Sequence, residues 1–184
     1  MNQEELVNII YKYYPKGITT QNPDKYESSV ENIRRLKLCD VIKVSNQNKW
    51  EFFKNDLLKY IEGQSSSFSD YTSFGGIPNY IIEIAIRNEQ STNGPKIILH
   101  VLISFITDYW IFRFLDTTYK DNFRFQVTGP LEAEIIQNIT QLIYKHFPAY
   151  RPFPLEMYNI VVPDIDTPLA HDNEVTIGTA IFMN

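Results

Sequence analysis

Lys96-Ile97-Ile98-Leu99-His100-Val101-Leu102-Ile103-Ser104-Phe105, then a short connector through Thr107-Asp108, then Tyr109-Trp110-Ile111-Phe112-Arg113-Phe114-Leu115: this stretch decides the fold. Both runs are rich in β-branched and aromatic residues, and the link between them is short enough for a hairpin. In the second run Trp110, Phe112 and Phe114 point one way, while Tyr109, Ile111, Arg113 and Leu115 point the other. A strand apolar on most of both faces belongs in the middle of a sheet, covered by helices on at least one side. Upstream, Tyr80 to Arg87 is β-branched and partly alternating. The turn cluster Ser91-Thr92-Asn93-Gly94-Pro95 joins it to the hairpin. Downstream, Asn122 to Val127 reads as a fourth, more exposed strand.

Working outward, the flanks are helical. Leu6, Ile9, Ile10, Tyr13 and Tyr14 share a helical face, closed by Pro15 and Gly17. Asn22-Pro23-Asp24 opens a second helix carrying Tyr26, Val30, Ile33 and Leu36. It is expected to stop before the polar Ser45-Asn46-Gln47-Asn48. A third helix fits Trp50, Phe53, Leu57, Leu58 and Ile61, stopped by Gly63, and Ser65-Ser66-Ser67 reads as a loop. Beyond the strands, Thr128-Gly129-Pro130 opens a long amphipathic helix. Glu132 and Glu134 sit near its positive end, and Lys145 and His146 lie before Pro148. Met157 to Val162 and Val175 to Phe182 are expected to be strands. The order predicts an α+β fold: N-terminal helices, a mainly antiparallel sheet of about five to six strands, and one long amphipathic helix packed on it. It is read as one domain, 1–184, with a helical part over 1–63 and the sheet plus helix 130–147 within 68–184.

Composition narrows the function. The chain has 184 residues and a net charge of −5. Its longest basic cluster, Arg34-Arg35 with Lys37, fits a solvated helix face, so no nucleic-acid partner is expected. The longest apolar stretch, Ile97 to Ile106, is interrupted by His100 and Ser104 and is too short to span a bilayer. The acidic start Met1-Asn2-Gln3-Glu4-Glu5 does not read as a signal peptide. A single cysteine, Cys39, suits a reducing compartment. A cytoplasmic location is therefore expected. Of the 12 Tyr and 12 Phe, most are expected in the core. Those around Gly75-Gly76 (Tyr71, Phe74 and Tyr80, with Ile77 and Pro78) are expected to pack that loop onto the sheet, with an exposed aromatic rim as the alternative.

Motifs of catalysis are missing from the sequence. There is no Gly-x-Ser-x-Gly, no P-loop, and no dinucleotide fingerprint around Gly75-Gly76. Cys39 with His100, His146 or His171 as base is the one nucleophilic arrangement available. A small apolar cysteine near a helix end is the plainer reading. The histidines have no metal-ligand spacing. His100 reads as a hydrogen-bonded sheet residue, and His146 as a cation at a helix end. No catalytic residue, metal or cofactor is expected. The acidic run Asp164-Ile165-Asp166 through Asp172 and Glu174 is broken by Pro168-Leu169 and lacks the glycine of a calcium loop. It reads as a solvated loop or, more sharply, as an acidic contact surface for a basic protein.

The opening Glu4-Glu5-Leu6-Val7-Asn8-Ile9-Ile10-Tyr11-Lys12-Tyr13-Tyr14-Pro15-Lys16-Gly17-Ile18 resembles the start of bacterial immunity proteins encoded beside polymorphic toxins. So do the paired strands over Lys96 to Leu115, followed by Thr128-Gly129-Pro130 and a helix ending in His146-Phe147-Pro148. The resemblance implies a non-enzymatic cytoplasmic protein that binds a cognate toxin domain tightly and occludes its active site. Asp164, Asp166, Asp172 and Glu174 are the residues expected to meet that partner. The alternatives are a small enzyme or a ligand-binding domain with its pocket between sheet and helices.

Overall fold

The computed structural model describes residues 1–62, 65–86, 97–116, 123–168 and 174–182. Its fold is α+β. Five strands, β1 (Ser65–Asp70), β2 (Asn79–Ile86), β3 (Ile97–Ser104), β4 (Tyr109–Asp116) and β5 (Phe123–Arg124), form an antiparallel meander in that order. A sixth, β6 (Arg151–Pro152), pairs in parallel with β4. The hairpin read from the sequence is β3–β4. Leu99 faces Phe114, Val101 faces Phe112 and Ile103 faces Trp110. Its turn is closed by Ser104, whose Oγ accepts from the amides of Ile106 (3.1 Å) and Thr107 (3.2 Å).

Because side chains alternate along a strand, the sheet has two distinct faces. One carries Tyr80, Ile82, Ile84, Leu99, Val101, Ile103, Phe112 and Phe114, all buried, and is covered by two helices, α3 (Val30–Ile61) and α4 (Pro130–His146). The other carries Ile81, Leu102, Tyr109 and Ile111, and is covered by α1 (Gln3–Ile10), α5 (Ile177–Ile181) and the segment through Phe153, Tyr158 and Val162. Aromatic rings fill the first layer: Trp50 stacks on Tyr80 at 4.1 Å, and Phe74 on Phe105 at 5.8 Å. Phe74, Pro78 and Tyr80 thus pack as expected, whereas Tyr71 is 55% exposed.

The helix starts are chemically specified. Asn2 caps α1 in a reciprocal box with Glu5. Asn22 caps the short α2 (Pro23–Glu27), and Ser29 caps α3. At the start of α4 the buried Glu132 carboxylate reaches back to the Thr128 amide (2.8 Å) and takes both terminal nitrogens of Arg124.

Several expectations need correction. The second and third helices are one rod of 32 residues, and Tyr26 belongs to the separate α2. Ser45 to Asn48 contains neither Gly nor Pro, and three of its four residues face solvent, so nothing there interrupts the hydrogen-bond ladder. The core face of α3 is Asn32, Arg35, Cys39, Trp50, Phe53, Leu57 and Ile61, while Val30, Ile33, Leu36 and Leu58 are exposed. Cys39 accordingly lies well inside the helix rather than near its end. Ser65 to Ser67 is not a loop but the start of edge strand β1. The fourth strand is only Phe123–Arg124. Met157 to Val162 is not a strand: a 3-10 turn at Leu155–Met157 leads to a single bridge, Val161 to Thr176. Residues 177–181 form α5, because Thr176 and Thr179 make a capping box and Gly178 sits where any Cβ would overlap the Tyr158 ring. The turn cluster Ser91 to Pro95 lies outside the described residues.

Candidate functional site

The acidic segment separates into residues with different duties. The Asp166 carboxylate accepts from the Thr20 amide (2.7 Å), the Thr20 hydroxyl (2.6 Å) and the Thr167 amide (2.7 Å). Its carbonyl accepts from the Tyr26 hydroxyl (3.2 Å). Asp166 is therefore a brace that pins residues 17–26 to the C-terminal segment. Asp164 is exposed and holds a left-handed backbone (φ 59°). That conformation presents its carbonyl to the Gly17 amide at 2.7 Å, beside the bridge between Lys16 and Ile165. Glu174 is exposed two residues before the Val161–Thr176 bridge. Asp172 and His171 lie outside the described residues.

Beside Asp164 runs a groove of about 440 Å3, between α1 and residues 161–163. Val7, Tyr11, Val161 and Pro163 give it an apolar floor, with Glu4 on its rim. The Tyr11 hydroxyl donates to the Pro163 carbonyl (3.2 Å), and Lys16 Nζ lies 3.6 Å from the Tyr11 ring centre. Val161 is 43% exposed. The groove thus combines apolar area with the Glu4 carboxylate and the Lys16 ammonium over Tyr11. Asp164 follows the lining residue Pro163 in the chain, and Glu174 precedes by two residues the bridge partner of Val161. Sequence reading missed Glu4, Val7, Tyr11 and Val161 as parts of a surface. The only available signal was that the helical stripe of α1 leaves Glu4 and Val7 off its buried line.

The other polar cluster is a row across three strands, Glu83 on β2, His100 on β3 and Arg113 on β4, placed side by side by the sheet register. Arg113 Nε donates to His100 Nδ1 at 3.0 Å, and His100 Nε2 lies 3.1 Å from Glu83 Oε2. Because Nδ1 accepts, the ring is neutral with its proton on Nε2, donated to Glu83. Burial, and then the Arg113 charge, lower the His100 pKa below its ordinary 6.5. His100 is thus the hydrogen-bonded sheet residue expected. His146 Nε2 and Lys145 Nζ both reach Asp56 Oδ2, at 2.9 and 2.6 Å, and tie α4 to α3. Hydrogen bonds from Lys145 and His146 hold the Asp56 pKa down at about 2.

Cys39 is buried, with Sγ 3.7 Å from the Ile77 carbonyl, and burial pushes its thiol up to about 11. The thiolate needed for nucleophilic attack is scarce at neutral pH. Among the described residues Cys39 is brought together with Arg35, which packs over Tyr14 and Tyr26, rather than with His100 or His146. Among the described residues no group of three or more His, Cys, Asp or Glu side chains is arranged to hold a metal ion. No helix among them is long and apolar enough to cross a membrane. Comparison of the chain with protein-family models, with curated proteins and with solved structures finds no match.

Proposed function

We propose that this is a non-enzymatic binding protein that neutralises a cognate bacterial toxin domain by tight complex formation, and that it meets a basic partner through the groove between α1 and residues 161–163. The observation that carries the reading is an apolar floor of Val7, Tyr11, Val161 and Pro163 with Glu4 in the same groove. It is flanked in the chain by the exposed carboxylates of Asp164, next to Pro163, and Glu174, two residues before the Val161–Thr176 bridge. Interfaces draw affinity from a few desolvated aromatic and apolar anchors, and draw association rate and selectivity from complementary charge around them. Tyr11 and Val161 supply the anchors, and the carboxylates supply the field. In this reading Asp166 braces the surface from behind, with its oxygens committed to Thr20 and Thr167.

The test is pull-down with the products of neighbouring genes, followed by calorimetry on the purified pair. The reading expects a stoichiometric, nanomolar-range complex with a basic, otherwise toxic domain. It also expects Tyr11→Ala to weaken that complex by about tenfold or more. A tight complex that Tyr11→Ala, Asp164→Lys and Glu174→Lys all leave intact would move the interface elsewhere. Finding no partner among the neighbours would remove the toxin-neutralising reading itself.

A further inference from the structure

The sheet ends differently on its two sides. On one side β4 is followed by the two-residue β5 and the two-residue β6. On the other, β1 is a six-residue strand, and among the described residues no further strand pairs with it. The direction of its backbone groups follows from the register. The Tyr71 amide donates to the Ile81 carbonyl at 2.9 Å, so Tyr71, Ser69 and Ser67 turn toward β2. Phe68 and Asp70 therefore turn their N–H and C=O groups away from β2, off the edge of the sheet. Natural edges are commonly guarded by charged side chains, proline or a bulge. Here the guards sit at the two ends of β1, a register shift between Ser65 and Ser67 and the Lys54–Asp70 ion pair at 2.9 Å. Ser67-Phe68-Ser69 between them carries neither charge nor proline.

Alongside this edge lies a groove of about 570 Å3, between the last turns of α3 and β1, lined by Asn55, Leu58, Lys59, Ile61, Glu62 and Phe68. Leu58 is 41% exposed. An edge of outward-directed donors and acceptors beside an apolar groove is matched by another extended backbone with an apolar side chain above it.

We propose that a second copy of this chain occupies that edge, with the two β1 strands paired antiparallel about a two-fold axis near Phe68. The strand is self-complementary in this arrangement: each copy offers outward N–H and C=O groups from the same residues, as a two-fold interface requires. Ser67 and Ser69 flank the axis with small side chains. The groove rim carries one charge of each sign, Lys59 and Glu62, around neutral Asn55. Apposing two identical rims therefore forces no like charges together. Leu58 and Phe68 of each copy close over the join. This edge is built from other residues than the acidic groove at α1, and the inference does not rest on the proposed function.

Sedimentation velocity of the full chain over a micromolar concentration range tests the pairing, together with hydrogen exchange read at the amides of Phe68 and Asp70. The expected result is a monomer–dimer equilibrium in which those two amides gain protection as the dimer forms. Leu58→Lys and Ser67→Lys, both at exposed positions, should raise the dimerisation midpoint by about tenfold or more while the circular dichroism stays unchanged. If one variant loses its fold, the other carries the comparison. A chain that stays monomeric throughout overturns the proposal. So does a dimer that forms without protecting Phe68 and Asp70, or a monomer whose edge amides become protected only when a different protein is added.

Discussion

The two faces of the sheet are built on different principles. The face under α3 and α4 is apolar without interruption at its centre, with Leu99, Phe114, Ile82 and Leu57 all fully buried. The opposite face begins the same way at Ile81, Leu102 and Ile111. It then changes to the charged row Glu83, His100 and Arg113, and its cover is made of short elements tied by specific hydrogen bonds. The difference teaches where stability and recognition reside. Burial supplies stability with little directional demand. A cover of short pieces held by braces such as Asp166 leaves exposed edges, and the groove beside α1 is one of them.

The comparison breaks most severely if the apolar face is hollowed. Leu57→Ala should cost about 2–5 kcal/mol in urea denaturation, since Leu57 is fully enclosed and the cavity cannot drain to solvent. A cost below 1 kcal/mol, on the order of a surface substitution, would show that α3 does not seal that face. The brace on the other face should matter less. Asp166→Ala leaves the Thr20 and Thr167 amides without their acceptor and should cost about 1–3 kcal/mol. Asp164→Asn, by contrast, keeps a residue type that tolerates the left-handed backbone there and should leave the unfolding midpoint nearly unchanged.

The charged row sharpens the contrast through pH. His100 faces Glu83 and Arg113, and Tyr158 lies against Arg113. The folded-state pKa of His100 is lowered from 6.5. Above pH 6.5 the ring is neutral in both states and its contribution is fully present. As pH falls below that value the unfolded chain takes up the proton first, so stability declines through the folded pKa. Thermal unfolding measured between about pH 7 and 5 should show a slope that His100→Gln reduces; equal slopes would remove His100 from the account. The smallest effect belongs to the tie between α3 and α4, in which half-buried Asp56 and His146 are joined by the exposed Lys145. Asp56 contributes above its unfolded value of 3.8, and that contribution is lost as pH falls through about 2. Asp56→Asn should shift stability slightly at low salt and hardly at all at high salt.

The parts legible in the sequence are those where one periodicity runs unopposed. Strands β3 and β4 are near-continuous β-branched and aromatic runs, the pattern of strands covered on both faces, and the register pairs Ile103 with Trp110 and Leu99 with Phe114. The helix over Pro130–His146 has its proline at the start and its cations at the end. Where local signals were balanced, tertiary contacts decided. Ser45 to Asn48 looked like a break, but a polar run lacking glycine or proline can stay helical when it faces water. Residues 175–182 alternate weakly, yet the fit of Gly178 against Tyr158 and the Thr176 cap select a helix. Asp164 and Asp166 are the same residue type two positions apart. What separates the braced carboxylate from the exposed one is Thr20, 146 residues away from Asp166 in the chain, which no local pattern encodes.

The central claim is that the exposed carboxylates beside the α1 groove steer a basic partner while the braced Asp166 does not. The most direct measurement is the association rate of wild type and an Asp164→Lys/Glu174→Lys variant with the purified basic partner domain, at low and high ionic strength. The account predicts that the variant associates about tenfold or more slowly at low salt and that high salt narrows the gap. It also predicts that the variant loses no more stability than about 1–2 kcal/mol, the cost of a lysine in the left-handed backbone at position 164. Equal rates for the two proteins at low salt, with the partner still bound, would contradict it.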